Sequence, residues 1–235
     1  MSLDAGPRFL PGPPALRASH PALGSALRMA RAPRAAALLV IGLLMAGCSV
    51  IDKPLRPAVY DFGPGPLAST PGPLPDPAPL VLAEVESGAA LDSTAVLYRL
   101  NYTNAQQLLP YAQARWSMAP AQLLRQRLRE KLGQLRMVLG PDDANLGSAR
   151  TRLVLRVELE EFSQLFTAPG QSMGLVRLRA TLVQSAATGD RLVGQRVLVA
   201  QRPAPTADAP GGVRALTDAT DSAVDELAQW LTQLR

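Results

Sequence analysis

Cysteine and histidine are nearly absent from this sequence: Cys48 and His20 are the only examples in 235 residues. With one cysteine, no disulfide forms within the chain. With one histidine near the start, there is no material for a His/Cys zinc site. A Ser-His-Asp or Cys-His nucleophile would have to draw on these two residues alone. Aromatics make up 4% of the chain. No stretch is long and apolar enough to span a bilayer. There is no internal repeat, phosphate-binding glycine loop or nucleotide fingerprint. Nothing in the residue inventory asks for a cofactor or a metal. Asp142 and Asp143 lack a surrounding oxygen-rich loop of metal-binding spacing and read as turn residues.

What is present begins with Met45-Ala46-Gly47-Cys48. The apolar run Leu38–Leu44 precedes it, behind a basic flank. A run this short before small residues is an export-signal core rather than a membrane span. The cysteine just after the small pair resembles a bacterial lipoprotein signal. That resemblance implies cleavage before Cys48 and lipidation of Cys48; Met45 stands where leucine is more usual. Residues 1–47 are therefore read as signal peptide, with Met1 and Met29 both available as starts. Met29 opens a second basic stretch, Arg31 to Arg34.

Setting the signal aside changes the charge argument. Residues 1–47 hold five arginines and Asp4, so 19 of the 24 basic and 18 of the 19 acidic residues belong to 48–235. The mature part is +1 rather than the +5 of the whole chain, and no nucleic-acid footprint remains in it. It contains no histidine, which argues against an enzyme.

Residues 48–79 read as a lipidated tether. Nine of the residues 49–79 are proline, which favours extended polyproline II and forbids helix or interior sheet. Fully extended, the tether would reach roughly 90 Å. Val59-Tyr60-Asp61-Phe62 has strand character and is expected to dock, which shortens that reach.

Residues 80–235 read as one α+β domain. Leu80–Val85 and the end of Leu91–Leu100 are apolar strands, Asn101–Asn104 a turn or strand continuation, and Pro110–Ser117 an ordered connection. A helix follows, capped by Ser117, with Pro120 in its first turn. Ala121, Leu124, Leu128, Leu132 and Leu135 form its apolar stripe, and Arg125, Arg127, Arg129 and Lys131 a solvated basic face. Leu153–Glu160 alternates apolar and polar as a half-buried strand does, and Glu160-Glu161-Phe162 breaks phase as a bulge would. Thr167–Gly174 reads as a flexible loop. Leu175–Val183 and Arg191–Gln201 flank a hairpin at Ala187–Asp190, with Gln195 obscuring the inward face of the return strand. Arg177 and Arg179 are set to pair with Glu158 and Glu160 across strands. After a loop over Pro203–Gly212, Leu216, Ala219, Ala223, Leu227, Trp230, Leu231 and Leu234 define a final helix over 213–234, packed on the sheet. The sum is a mostly antiparallel sheet of about five strands packed by two main helices and preceded by a Pro-rich tether.

Cys48, Val59–Gly63, Leu91–Leu100, Arg115-Trp116-Ser117-Met118-Ala119-Pro120 before Gln122-Leu123-Leu124, the Leu153–Phe162 strand and the Ala187–Asp190 hairpin together resemble the ABC-type transport auxiliary lipoproteins. The resemblance covers nearly the whole mature chain and includes no catalytic motif. It implies a non-enzymatic part of an envelope lipid-transport system, partnered by an MCE-domain substrate-binding protein, a permease and a separate ATPase. It implies an outer-membrane location on the periplasmic face, held there by lipid; Ser49 after the anchor agrees with outer-membrane sorting in enteric bacteria. Tyr98, Tyr102, Tyr111 and Trp116 are the candidate partner-binding residues, since aromatics are favoured as interface anchors, although each also suits a core. A homo-oligomer suits a channel-like partner. An assembly or pilot lipoprotein of another secretion or export system would share the anchor, tether and small α+β domain.

Overall fold

The computed structural model describes residues 56–65, 78–145 and 151–234. Cys48, the signal and the proline-rich stretch 66–77 lie outside the described residues.

Three long strands form a meander: β6 (Thr151–Ala168), β7 (Gln171–Ala186) and β8 (Gly189–Pro203), each antiparallel to the next. The alternation of Leu155, Val157 and Leu159 buries one face of β6 almost completely. The expected bulge is real. Leu159 lies opposite Leu178 and Glu161 opposite Arg177, so Glu160 is the extra residue and Phe162 returns to the core. Gln195 turns out of the core and donates to Thr181 Oγ1 (2.9 Å), leaving Leu198 and Ala200 as the inward residues of β8.

The other edge of β6 is shared. β2 (Leu80–Ser87) runs parallel to it over residues 153–159. β3 (Ala95–Leu100) runs parallel to it over residues 164–166, after a 3-10 turn at Ala89–Leu91. β4 (Asn104–Trp116) is antiparallel to β3, β1 (Ala58–Tyr60) parallel to β4, and β5 (Val138–Leu139) parallel to β2. The described sheet therefore has eight strands, and four of its seven pairings are parallel. This corrects the expectation of about five mostly antiparallel strands. β1 and β5 are three and two residues long, too short to show a period. β4 was read as a turn and a connection because it carries Pro110 and two register breaks against β3, which remove the alternation.

α1 (Pro120–Gly133) and α2 (Ala209–Gln233) pack on the same sheet face. Leu124, Leu128 and Leu132 of α1 and Leu216, Ala219, Ala223, Leu227, Trp230 and Leu231 of α2 are buried there, as their spacing requires. Four local expectations need correction. Ala119, not Ser117, is the α1 N-cap; the Ser117 N–H is already bonded to the Tyr60 carbonyl (2.7 Å). Leu135 lies past the helix end and is exposed. The 167–174 segment is a hairpin closed at Pro169-Gly170, where Gly170 takes φ +80°, rather than an open loop. α2 starts four residues early because the Asp208 carboxylate caps it, accepting from the Gly211 N–H (2.9 Å), while Pro210 is tolerated in the first turn.

The docking of residues 59–62 is as expected. Phe62 is buried against Trp116 and Phe162, and its carbonyl accepts from Arg127 Nη2. Arg127 was expected on a solvated face. It is only 6% exposed, with Nε 3.1 Å from Asp221 Oδ1 and its guanidinium 6.0 Å from the Phe62 ring centroid.

Candidate functional site

Of the four candidate aromatics, two meet, one is free and one is in the core. Tyr98 on β3 and Tyr111 on β4 face each other with ring centroids 4.6 Å apart, and Phe166 lies 5.9 Å from Tyr98. The register break that sets Leu97 opposite Pro110 aims both rings to the helix side. Tyr102 sits in the β3–β4 turn and is 44% exposed. Trp116 is 2% exposed, edge-on to Phe62 at 5.6 Å. It stabilises the core and presents no surface to a partner.

The Tyr98–Tyr111 pair closes over a polar chain that the sequence reading missed. The Tyr111 hydroxyl donates to Gln164 Oε1 (2.8 Å), and Gln164 Nε2 donates to Ser172 Oγ (2.8 Å). Gln164 is fully buried, so these bonds satisfy an amide that would otherwise be costly to enclose. It also lies flush against the first turn of α2: a Cβ on Gly212 would overlap Gln164 Oε1. Gly212 is thus the residue that admits Gln164. Burial pushes the Tyr111 pKa up to about 12, with the nearby Tyr98 and Asp208 adding to the effect. The hydroxyl is a stable donor. Asp208 itself is held below its ordinary carboxylate value by bonds from Thr206 and the Gly211 N–H. The signal available in sequence was Gln164 interrupting an apolar strand four residues after the bulge.

The sheet face opposite the helices carries ordered charge. Glu158 and Arg179 are directly opposite each other, as are Glu161 and Arg177. Arg179 reaches Glu160 at 2.6 Å and Glu158 at 3.8 Å, close to the expected cross-strand pairing. Arg99 grips Glu161 with two nitrogens (3.0 and 3.4 Å). Where β2 leaves β6 and β3 has yet to join it, a groove of about 500 Å³ opens over Leu91, Leu108 and Leu159, rimmed by Glu86, Glu158, Glu160, Glu161 and Arg99. Three of these carboxylates have arginine partners, so the arrangement suits recognition rather than proton transfer. Among the described residues no group of three His, Cys, Asp or Glu side chains is placed to hold a metal ion.

Fold and site together define an α+β domain with a mixed sheet, helices on one face and a charged open face on the other. Its architecture is similar to that of protein XCC0632 from Xanthomonas campestris: 20% identity, TM-score 0.59, covering 75% of this chain and 96% of that one. It is also similar to an uncharacterized protein at 15% identity and TM-score 0.52, covering 75% of this chain and 99% of that one. No curated protein matches the sequence. The model for the ABC-type transport auxiliary lipoprotein component matches residues 60–228, and the chain belongs to that family.

Proposed function

We propose that the protein is the non-enzymatic, lipid-anchored component of an MCE-linked lipid-transport system, facing the periplasm from the outer membrane and docking the MCE-domain substrate-binding protein. The family match over 60–228 carries this reading. Three features support it. Cys48 follows a lipoprotein-type signal. No phosphate loop occurs in the sequence, consistent with an ATPase on another chain. Residues 48–235 lack histidine, and three of the four groove carboxylates, Glu158, Glu160 and Glu161, have arginine partners. Tyr98, Tyr102 and Tyr111 remain the partner-binding candidates, with Tyr102 the exposed member.

The test is affinity purification of the full chain from solubilised envelopes, followed by mass spectrometry of the bound proteins and lipids. The expected result is an MCE-domain protein with its permease and ATPase, and lipid in the complex. Recovery of secretin or polysaccharide-export components instead would overturn it in favour of an assembly lipoprotein.

A further inference from the structure

The free edge of β8 has the composition of an interface between copies of this chain. β8 is paired on one side only; among the described residues no strand covers the other. Its outward face exposes Val197 (44%) and Val199 (47%). Long uncovered edges invite pairing with another strand, and proteins blunt them with bulges, proline, lysine or shortness. Here the bulge and the proline lie at the ends, and the charges between them, Arg196 and Arg202, turn to α2, where they bond Glu226 and Ser222. The register break falls at Val193, and Pro203 closes the strand. Between them, residues 194–203 pair with β7 without a shift, leaving a straight, ten-residue template.

That template is palindromic. Gln195-Arg196-Val197-Leu198-Val199-Ala200-Gln201 reads almost the same in both directions about Leu198. In an antiparallel pair related by a twofold axis at Leu198, Val197 faces Val199 of the second copy, Gln195 faces Gln201, and Leu198 faces Leu198. Arg196 faces Ala200, so no like charges oppose each other. A twofold interface demands this self-complementarity, and cross-strand β-branched pairs are favourable on a sheet face.

The neighbouring strands extend the match. Val199 is flanked in register by Arg177 and then Glu161, and Val197 by Arg179 and then Glu158. Across the axis each row would read Glu-Arg-Val-Val-Arg-Glu. The two arginines would lie three strand spacings apart, roughly 14 Å. That exceeds the screening length of about 8 Å at physiological salt, and each arginine keeps a carboxylate beside it. Arg196 is neutralised by Glu226 of its own α2 at 2.8 Å.

We infer that two copies of this chain associate edge to edge through β8, antiparallel and centred on Leu198, into one continuous sheet. The inference stands apart from the transport reading: co-purification with an MCE-domain protein can succeed or fail whichever way the two copies meet. The full chain, solubilised in detergent at tens of micromolar, is weighed by light scattering with the detergent contribution removed. The wild type is expected at twice the monomer mass or an even multiple of it. V197K/V199K is expected to lower that mass at least twofold while keeping a cooperative thermal transition, because both sites are exposed in the single copy. In whole cells under mild oxidation, V197C/V199C is expected to give a disulfide-linked dimer that the wild type, which shares Cys48, does not. A monomeric wild type, which would leave the edge to a strand from another protein, overturns the inference. So does an oligomer that survives V197K/V199K, or a cysteine pair that fails to cross-link within an oligomer.

Discussion

At the scale of single residues, the Tyr111–Gln164–Ser172 chain is where polarity is most tightly held. Tyr111 donates to a fully buried amide, and removing its hydroxyl leaves Gln164 Oε1 without that donor. Y111F is expected to cost about 1–3 kcal/mol, the range for orphaning a buried acceptor. The pH dependence has a definite sign. Tyr111 ionises near 10.0 in the unfolded chain and near 12 in the fold. Between those values the unfolded state has lost its proton and the folded state has not, so stability falls as pH rises. The stabilisation that Tyr111 supplies is complete below pH 10 and disappears as pH climbs through the folded value. Urea unfolding of the wild type and Y111F at about pH 8 and about pH 11 measures this; the gap between them should narrow at the higher pH. A gap independent of pH would show that the hydroxyl is not the titrating group.

At the scale of elements, Arg127 ties three segments together. It projects from α1, accepts Asp221 of α2 as its ion partner and donates to the carbonyl of Phe62 just after β1. The raised pKa of Asp221 shows which effect wins locally: burial lifts it, and the charge of Arg127 offsets the lift only in part. R127M keeps the apolar stem but orphans the Phe62 carbonyl and leaves Asp221 unpaired. It should destabilise the fold by about 1–3 kcal/mol and speed proteolytic cleavage near residues 56–65 under native conditions. R127K, with one point charge instead of a fork, should recover only part of the loss. Unchanged cleavage in R127M would mean that Phe62, through its ring packing, holds the segment alone.

The same scale shows what a sequence can and cannot disclose. The β6 bulge was legible because Glu161 follows Glu160 where the two-residue period calls for an apolar residue. The α2 stripe was legible because seven apolar residues keep helical spacing over its length. The parallel placement of β2 and β3 was not legible, since adjacency along a shared edge leaves no mark on either strand. Arg127 was misread because three neighbouring basic residues on α1 are solvated or surface-paired, and only the Phe62 segment folding back distinguishes it. Trp116 was misread for a related reason: an aromatic before a helix looks the same whether it meets a partner or, as here, Phe62 and Phe162. The Tyr98–Tyr111 pairing depended on a register break in β4 that composition does not encode.

At the scale of the whole molecule, the question is what holds a domain of near-neutral charge in place. The +1 balance of residues 48–235 gives little electrostatic attraction to an anionic surface. No described helix is long and apolar enough to cross a membrane. Attachment by lipid on Cys48 would supply what neither feature does. Each buried methylene contributes about 0.8 kcal/mol, one acyl chain holds only reversibly, and several hold durably. Only residues 49–57 separate Cys48 from the docked β1, and the proline-rich 66–77 follows β1, so the spacer from such an anchor would be nine residues long. Cys48→Ser removes the acceptor and leaves β1 through α2 unaltered. The variant is expected to fold with the wild-type thermal transition, yet to move from the outer-membrane pellet to the soluble fraction on cell fractionation. Under the proposed function, the variant supplied in soluble form should still capture the same partners from detergent extracts, because its folded domain is unaltered. Retention of Cys48→Ser in the outer membrane would transfer the anchoring role from the lipid to the folded domain itself.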